Sequence, residues 1–136
     1  MSDILKGGCQ CGTVRFEVSE PATDLYHCHC SMCRKVHGTV FATYAVCPRS
    51  GMRFIQGEDN LSAFKSSPDV TRRFCKTCGC QIAIDVAYQP DDIWFMPGIL
   101  DDADHPGADQ TERHMFVADK LPWLHLDEVL PRTDQA

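Results

Sequence analysis

The stretch from His27 to Lys35 reads HCHCSMCRK and places the thiols of Cys28, Cys30 and Cys33 within six residues. Zinc binds thiolates at about 2.3 Å in a tetrahedral arrangement, which closely spaced cysteines on a turn can supply. A zinc ion with three protein ligands keeps one position for water or substrate, and this distinguishes a catalytic site from a structural one. The spacing therefore predicts an open, catalytic zinc site at these three cysteines.

Two further cysteine pairs have the spacing of metal ligands. Cys9 and Cys11 form a Cys-x-Cys pair between glycines, and Cys75 and Cys78 form a Cys-x-x-Cys pair followed by glycine, as in a zinc ribbon. Four thiolates make a closed structural site, which would tie the start of the chain to its middle. A redox dithiol at Cys75 and Cys78 is the alternative, but it requires a βαβ context that the sequence lacks.

Two cysteines remain outside these motifs. Cys47 is predicted to be buried core, because a free cysteine behaves as a small hydrophobic residue. Cys80 follows Cys78 by two residues. It could pack in the core, replace a ligand of the four-cysteine site or act near the three-cysteine site.

The histidines offer weaker candidates for the same chemistry. His29 lies between two predicted ligands and is expected to point away from the metal. His27 and His37 could supply a fourth ligand or a proton relay, although a solvent-exposed polar role is favoured for both. His114 and His125 are predicted to be structural.

Composition indicates one ordinary globular domain over residues 1–136, with 43% hydrophobic and 24% charged residues. No apolar run approaches the roughly 18 residues of a membrane span, and the N-terminus lacks the pattern of an export signal. The nine cysteines are an odd number with metal-ligand spacing, so we expect reduced thiols in the cytoplasm. The formal charge of −6 argues against nucleic-acid binding.

Short runs of alternating apolar and polar residues, separated by turn residues, predict a mainly β fold. A short helix is expected from Ser31, as its N-cap, to His37, with Gly38 ending it. Trp94, Phe95, Phe116 and Trp123 are predicted to be core, and residues 121–124 to close that core. Strands are predicted over residues 13–18, 25–28, 39–46, 52–55, 61–65, 70–74, 81–86, 93–96 and 113–118.

The order of the cysteine motifs resembles the family of the glutathione-dependent formaldehyde-activating enzyme, one branch of which is chromosome-associated (centromere protein V-like). The resemblance covers roughly residues 7–125 and is carried by four segments: Gly7 to Gly12, Cys28 to Lys35, Phe74 to Gly79 and Arg113 to Trp123. It implies an Mss4-like fold of β-sheets around a zinc ribbon, with one structural and one catalytic zinc. It also implies a carbon–sulfur lyase activity, S-(hydroxymethyl)glutathione synthase, that joins glutathione and formaldehyde.

An open thiolate-zinc site could lower the pKa of a substrate thiol, or it could polarise the aldehyde oxygen; both remain open. Glutathione also carries two carboxylates. The basic residues that flank the cysteine motifs could bind them, or could form ordinary solvated surface: Arg34, Lys35, Arg72, Arg73 and Lys76. Arg34 and Lys35 are the predicted glutathione-binding residues. The alternative function is a non-catalytic zinc module that binds a thiol or a protein partner.

Overall fold

The computed structural model describes residues 4–102, 111–126 and 130–135, and this part of the chain is mainly β, as predicted. It contains ten strands and one α-helix, besides four short 3₁₀ turns. The helix is α1 (Ser31–His37). The strands are β1 (Leu5–Gly8), β2 (Arg15–Val18), β3 (Asp24–Cys28), β4 (Ala42–Pro48), β5 (Met52–Gln56), β6 (Leu61–Ser67), β7 (Val70–Cys75), β8 (Gln81–Val86), β9 (Asp92–Phe95) and β10 (Thr111–Met115).

The strands form two sheets. A three-stranded antiparallel sheet has the order β1-β2-β5, and a seven-stranded sheet has the order β10-β3-β4-β9-β8-β7-β6. Within the larger sheet only β10 and β3 pair in parallel. Strand β3 ends at Cys28, which lies opposite Ala42 of β4 and Met115 of β10. Strands on both sides therefore hold the backbone from which the three-cysteine segment departs.

The seven-stranded sheet is covered on both faces, and β4 shows how. Successive side chains of a strand point to opposite faces. Ala45 and Cys47 join the cluster that contains Phe16 of the three-stranded sheet. Tyr44 and Val46 join the other cluster, which contains Cys28, Cys33 and Trp94. The first face carries the main hydrophobic core, whereas the second face carries the three-cysteine segment.

The predicted helix forms over the predicted residues, but its N-cap is Cys30 rather than Ser31. The Cys30 Sγ atom accepts a hydrogen bond from the Cys33 N–H at 3.3 Å. At the other end Gly38 adopts the left-handed conformation, with φ of 62°. The prediction of Ser31 followed the usual preference for a hydroxyl cap. A thiol takes that place here because the turn brings Cys30 and Cys33 together.

Strand β1 lies outside the strands that the sequence predicts. A Cβ atom on Gly7 would lie 2.7 Å from the Ile99 carbonyl oxygen and 2.8 Å from the Phe16 ring. Glycine is therefore required by close packing within the sheet. The glycine pair hid the strand because glycine is depleted in strands and leaves no side-chain alternation to read.

The prediction for residues 121–124 is wrong: Trp123 is 65% exposed. Trp94 and Phe95 are buried, as predicted. Aromatic residues are often core, but their size alone does not say which of them a strand carries inward. No helix in the described ranges is long and apolar enough to span a membrane.

Candidate metal centres and the adjoining pocket

The four cysteines of the predicted structural site lie close together in space. One ligand atom from each of Cys9, Cys11, Cys75 and Cys78 lies within 4.8 Å of every other. The Sγ atoms of Cys9 and Cys11 are 3.5 Å apart, and those of Cys11 and Cys75 are 3.8 Å apart. Four sulfurs at about 2.3 Å from a tetrahedral zinc would be about 3.8 Å apart. The donor set therefore fits zinc in both chemistry and spacing.

Tight turns and N–H groups hold these thiols. Gly79 has φ of 79°, and its N–H donates to the Cys75 carbonyl oxygen at 2.8 Å. The Val14 N–H donates to Cys9 Sγ at 3.2 Å, and the Asn60 side chain donates to Cys75 Sγ at 3.4 Å. Backbone hydrogen bonding at Cys78 lowers the pKa of Cys75 below its ordinary value. These donors favour the thiolate form that binds metal.

The three cysteines of the predicted catalytic site also lie close together in space. Ligand atoms of Cys28, Cys30 and Cys33 lie within 4.8 Å of one another, and no other Cys, His, Asp or Glu of the described ranges joins them. Cys28 ends β3, Cys30 caps α1 and Cys33 lies in the first turn of α1. Three soft sulfur donors fit zinc and leave a coordination position for a ligand that the described protein does not supply.

A polar network lies behind Cys33. The Tyr44 hydroxyl donates to Cys33 Sγ at 3.2 Å. Arg72 donates through Nη1 to the Tyr44 oxygen at 3.0 Å and through Nη2 to Cys33 Sγ at 3.6 Å. The His37 Nε2 atom is 3.2 Å from the same hydroxyl. Because a phenol has one proton, and Tyr44 gives it to Cys33, His37 must donate to Tyr44 through an Nε2–H tautomer.

This network stabilises negative charge on Cys33. The pKa of Cys33 lies far below its ordinary value, first because of hydrogen bonds from Cys28 and Cys30, and then because of Tyr44 and Arg72. Burial raises the pKa of Tyr44, and the nearby Cys33 charge raises it further, so the phenol keeps its proton. The hydrogen bonds to Cys33 Sγ therefore favour its thiolate form, which is the form that binds metal.

Arg72 occupies a different place from the one the sequence predicted. It is 3% exposed, and its Nε donates to Ser66 Oγ at 2.9 Å, so each of its guanidinium nitrogens has a protein partner. Arg72 therefore supports Cys33 from a buried position and is not part of a basic surface.

The other four basic residues are dispersed. Arg73 bonds Asp85 at 2.7 Å, and Lys76 donates to the Asp59 carbonyl oxygen at 3.3 Å. Arg34 donates from Nε to the His29 carbonyl oxygen at 3.2 Å, and Lys35 is exposed on α1. The two residues predicted to bind glutathione therefore lie on the helix that carries Cys33, and their role stays a prediction.

The three thiols line a pocket of about 340 Å³. The rest of its wall comes mainly from β7, β8 and β9 and from the end of β10 with the residue that follows it. Its apolar members include Val70, Ile84, Val86, Trp94, Met115 and Phe116. The cysteine cluster can therefore be reached from a pocket and is not sealed in the core.

His27 and His29 have partners other than the thiols, whereas His37 contacts the Tyr44 hydroxyl that donates to Cys33. His29 is fully buried, and its Nε2 atom is 2.9 Å from Nδ1 of His114, as expected for a histidine directed away from the metal. His27 bonds Glu112 at 2.8 Å and Thr43 at 2.9 Å. Its side chain is only 15% exposed, so the favoured solvent-exposed role is wrong.

The two remaining cysteines lie outside both clusters. Cys47 is fully buried in the main core, as predicted, and burial raises its pKa to about 12. Cys80 is partly buried against the same core, and it does not belong to either group of clustered ligand atoms. It therefore behaves as packing rather than as a ligand.

Sequence reasoning missed Tyr44 and the true position of Arg72. A signal was present: Val70 and Arg72 are two residues apart on β7, so they share a face, and both line the pocket. A charged residue on an apolar strand face requires a buried partner. The partners, Tyr44 and Cys33, come from other elements, and their proximity depends on the sheet order.

Comparisons with known proteins agree with these motifs. The model of a family described as glutathione-dependent formaldehyde-activating enzyme matches residues 4–119. The chain is 26% identical over 130 residues to a "putative glutathione-dependent formaldehyde-activating enzyme" of Halomonas elongata, an alignment that covers 91% of this chain and 82% of the relative. It is also similar to a crystal structure of a Rhodobacter sphaeroides protein, with a TM-score of 0.63 and 29% identity, covering 73% of this chain and 90% of that one.

Proposed function

The chain belongs to the glutathione-dependent formaldehyde-activating enzyme family, and from that premise we propose that it joins glutathione to formaldehyde or a related small aldehyde. The activity would be that of a carbon–sulfur lyase of the S-(hydroxymethyl)glutathione synthase type. The thiol loses its proton, its sulfur bonds the carbonyl carbon, and the carbonyl oxygen gains the proton, so nothing is oxidised or reduced. The supporting observation is the three-thiol cluster that opens into a pocket and has no fourth ligand in the described ranges.

We assign one zinc ion to each cluster. Cys9, Cys11, Cys75 and Cys78 would hold a structural zinc, and Cys28, Cys30 and Cys33 a catalytic one. A zinc with an open position lowers the pKa of a ligand such as a thiol and acts as a Lewis acid toward a carbonyl oxygen. All nine cysteines are free in the structure, and we therefore place the protein in the reducing cytoplasm.

The chain's own residues would control charge at the reacting sulfur. Three cysteine thiolates and a substrate thiolate carry four negative charges, twice the charge that a zinc ion offsets. The buried guanidinium of Arg72 offsets one of the two that remain, and its hydrogen bond fixes Tyr44 toward Cys33. Buried charge requires such a partner, because water cannot screen it there. Arg72 and Tyr44 are thus proposed as positioning residues of the cluster.

The polar body of glutathione requires cations outside the pocket. Arg34 and Lys35 directly follow Cys33 on α1, the element that presents this thiol. We propose that they bind a glutathione carboxylate. The paired cations suit this role because Arg can form two parallel hydrogen bonds with a carboxylate, while Lys supplies a mobile point charge.

The decisive experiment combines metal analysis with the rate of exchange between glutathione and formaldehyde, followed by NMR. We expect two zinc ions per chain and exchange faster than the uncatalysed reaction. Cys30→Ser should lose one zinc and the acceleration but keep the fold, since Ser is itself a good N-cap for α1. Full acceleration in that variant would refute the proposal. Two zincs with saturable glutathione binding and no acceleration would identify a non-catalytic thiol-binding module.

A further inference from the structure

The wall of the pocket is more apolar than the proposed small substrate requires. Beside the three thiols it is formed by the side chains of Val70, Ile84, Val86, Trp94 and Met115, with Phe116 and Tyr88. Trp94, Ile84 and Val86 are themselves buried, between 3% and 8% exposed, so the wall continues a packed cluster. An apolar wall of this kind recognises apolar groups, because burying apolar surface away from water lowers the free energy.

The size of the pocket points the same way. Its volume is about 340 Å³, roughly ten times the share of one water molecule in the liquid. Formaldehyde has only two non-hydrogen atoms and would leave most of the apolar wall in contact with water. A pocket in this range is of the size that proteins use for whole small molecules.

Charge excludes the glutathione carboxylates from this space. Arg72 is the one cationic side chain among the described residues that line the pocket, but it is only 3% exposed and its nitrogens are directed to Ser66, Tyr44 and Cys33. A carboxylate placed against Val70 or Ile84 would lose its hydration without gaining a partner. The pocket therefore suits the part of the product that comes from the aldehyde.

Phe116 supplies an independent observation. Among the described residues it is the only one other than glycine with a positive φ, which is 59°. Such a conformation is unfavourable for a side chain that bulky and persists where the surroundings impose it. Here the Phe116 N–H donates to the Gln135 carbonyl oxygen at 3.2 Å, and its own oxygen accepts from Asp119 at 3.0 Å. Backbone strain is thus maintained in a residue that lines the pocket.

We propose that the pocket binds the substituent of an aldehyde that carries an aromatic ring or a branched aliphatic chain, next to the three thiols. This inference rests on the proposed function, and the family name supplies glutathione as the thiol, so the apolar group is assigned to the aldehyde. The bond changes are those given above: sulfur bonds the carbonyl carbon, and the proton moves from sulfur to oxygen. Each buried methylene group should favour binding about fourfold.

The test compares aldehydes in the zinc-loaded protein. Acceleration of glutathione exchange is measured with formaldehyde, 3-methylbutanal and phenylacetaldehyde, each relative to its uncatalysed rate. We expect the acceleration to be at least roughly tenfold greater for the two apolar aldehydes. A parallel arm uses phenylmethanethiol with formaldehyde, and acceleration confined to that arm would overturn the assignment to the aldehyde.

Binding is measured separately from turnover. 2-Phenylethanol, which cannot react, is titrated against the emission of Trp94 in a Trp123→Phe background, because Trp123 is exposed and the chain has two tryptophans. We expect a saturable change. Val70→Phe should fill the pocket and abolish this change in emission. It should also reduce the ratio of acceleration with apolar aldehydes to acceleration with formaldehyde toward one. Val70→Ala should keep both the emission change and the ratio. Ile55→Phe adds a ring to exposed Ile55 of the other sheet and should change neither measurement.

The outcomes separate the two proposals. Acceleration with formaldehyde, combined with no preference for apolar aldehydes and no binding of 2-phenylethanol, would overturn the pocket inference and leave the proposed function intact. No acceleration with any aldehyde, in protein that holds two zincs, would overturn the proposed function and the aldehyde assignment together. An unchanged preference in Val70→Phe would also overturn the inference, because the apolar group would then lie elsewhere.

Discussion

The two cysteine clusters use the same ligand type in different surroundings. The four-cysteine cluster joins the turn after β1 to the end of β7, and its described partners are N–H groups and polar uncharged side chains. The three-cysteine cluster lies at the edge of a pocket, with the buried Arg72 and Tyr44 behind one sulfur. The two clusters therefore differ in their surroundings: the four-cysteine cluster ties the two sheets together, while the three-cysteine cluster opens onto a pocket beside a buried positive charge.

The difference also explains why the clusters lie where they do. A closed site needs only two turns that meet, and each turn carries a glycine with positive φ, Gly12 and Gly79. An open site must hold its thiols away from solvent-exposed turns. It must also place them beside side chains that stabilise the negative charge of a thiolate. It therefore begins at the end of β3, which has a strand on either side, and continues into α1.

The largest expected effect separates the clusters by stability. Cys11→Ser removes an exposed ligand of the four-cysteine cluster without removing core packing. We expect loss of one zinc and of several kcal/mol of stability, since structural zinc binding is coupled to folding. For a chain of this size the midpoint of thermal unfolding should fall by about 10 °C or more. Calorimetry and metal analysis give both values.

Cys30→Ser is the matched variant for that comparison. It also replaces one sulfur with oxygen, but at the three-cysteine cluster, and its midpoint should stay within about 3 °C of the wild-type value because a serine cap replaces the thiol cap. If the two variants lost equal stability, the distinction between a structural and a reactive cluster would be wrong.

The next effect concerns the charge behind Cys33. Arg72→Met keeps much of the side-chain volume but removes the guanidinium that contacts Cys33 and Tyr44. We expect metal affinity at the three-cysteine cluster, and glutathione exchange, to fall by about 10- to 100-fold, as is typical when a partner of a metal ligand is removed. Competition with a chelator measures the affinity independently of turnover.

Arg73→Met is the control on the same strand. Arg73 pairs with Asp85 at the surface, 33% exposed. Such ion pairs contribute about 0–1 kcal/mol, so metal affinity should not change. Arg72→Lys should restore part of the affinity, since it returns the charge without the planar fork. Equal losses of affinity in Arg72→Met and Arg73→Met would show that Arg72 has only a general effect on the sheet.

The sequence predicted individual strands and the helix better than it predicted which elements contact one another. Alternation and turn residues gave β8 over its full length, and the cap and glycine rules gave α1 over residues 31–37. The cysteine spacing brought out both clusters. The elements and the three-cysteine cluster depend on local geometry, and the four-cysteine cluster was predictable because each of its two cysteine pairs has the local spacing of metal ligands.

What the sequence did not reveal depends on contacts between distant elements. Tyr44 and Arg72 are 28 residues apart, and they meet across one face of the seven-stranded sheet, in which β9 and β8 lie between β4 and β7. Arg72 looked like part of a basic surface because a strand sequence does not say which face is covered. The apolar pocket was missed for the same reason: its wall combines residues from six strands with α1 and the segment after β10.

The smallest expected effect tests where the four-cysteine cluster ends. Cys80 lies two residues after Cys78, but it packs against the main core, and burial raises the pKa of its thiol. A thiol held in its neutral form by burial is a poor competitor for zinc, which binds thiolate. Cys80→Ser should therefore retain two zincs and exchange activity, and it should lose at most about 1 kcal/mol from placing a hydroxyl in a partly apolar site. Loss of one zinc per chain would mean that Cys80 is itself a metal ligand, which would contradict its assignment to the core.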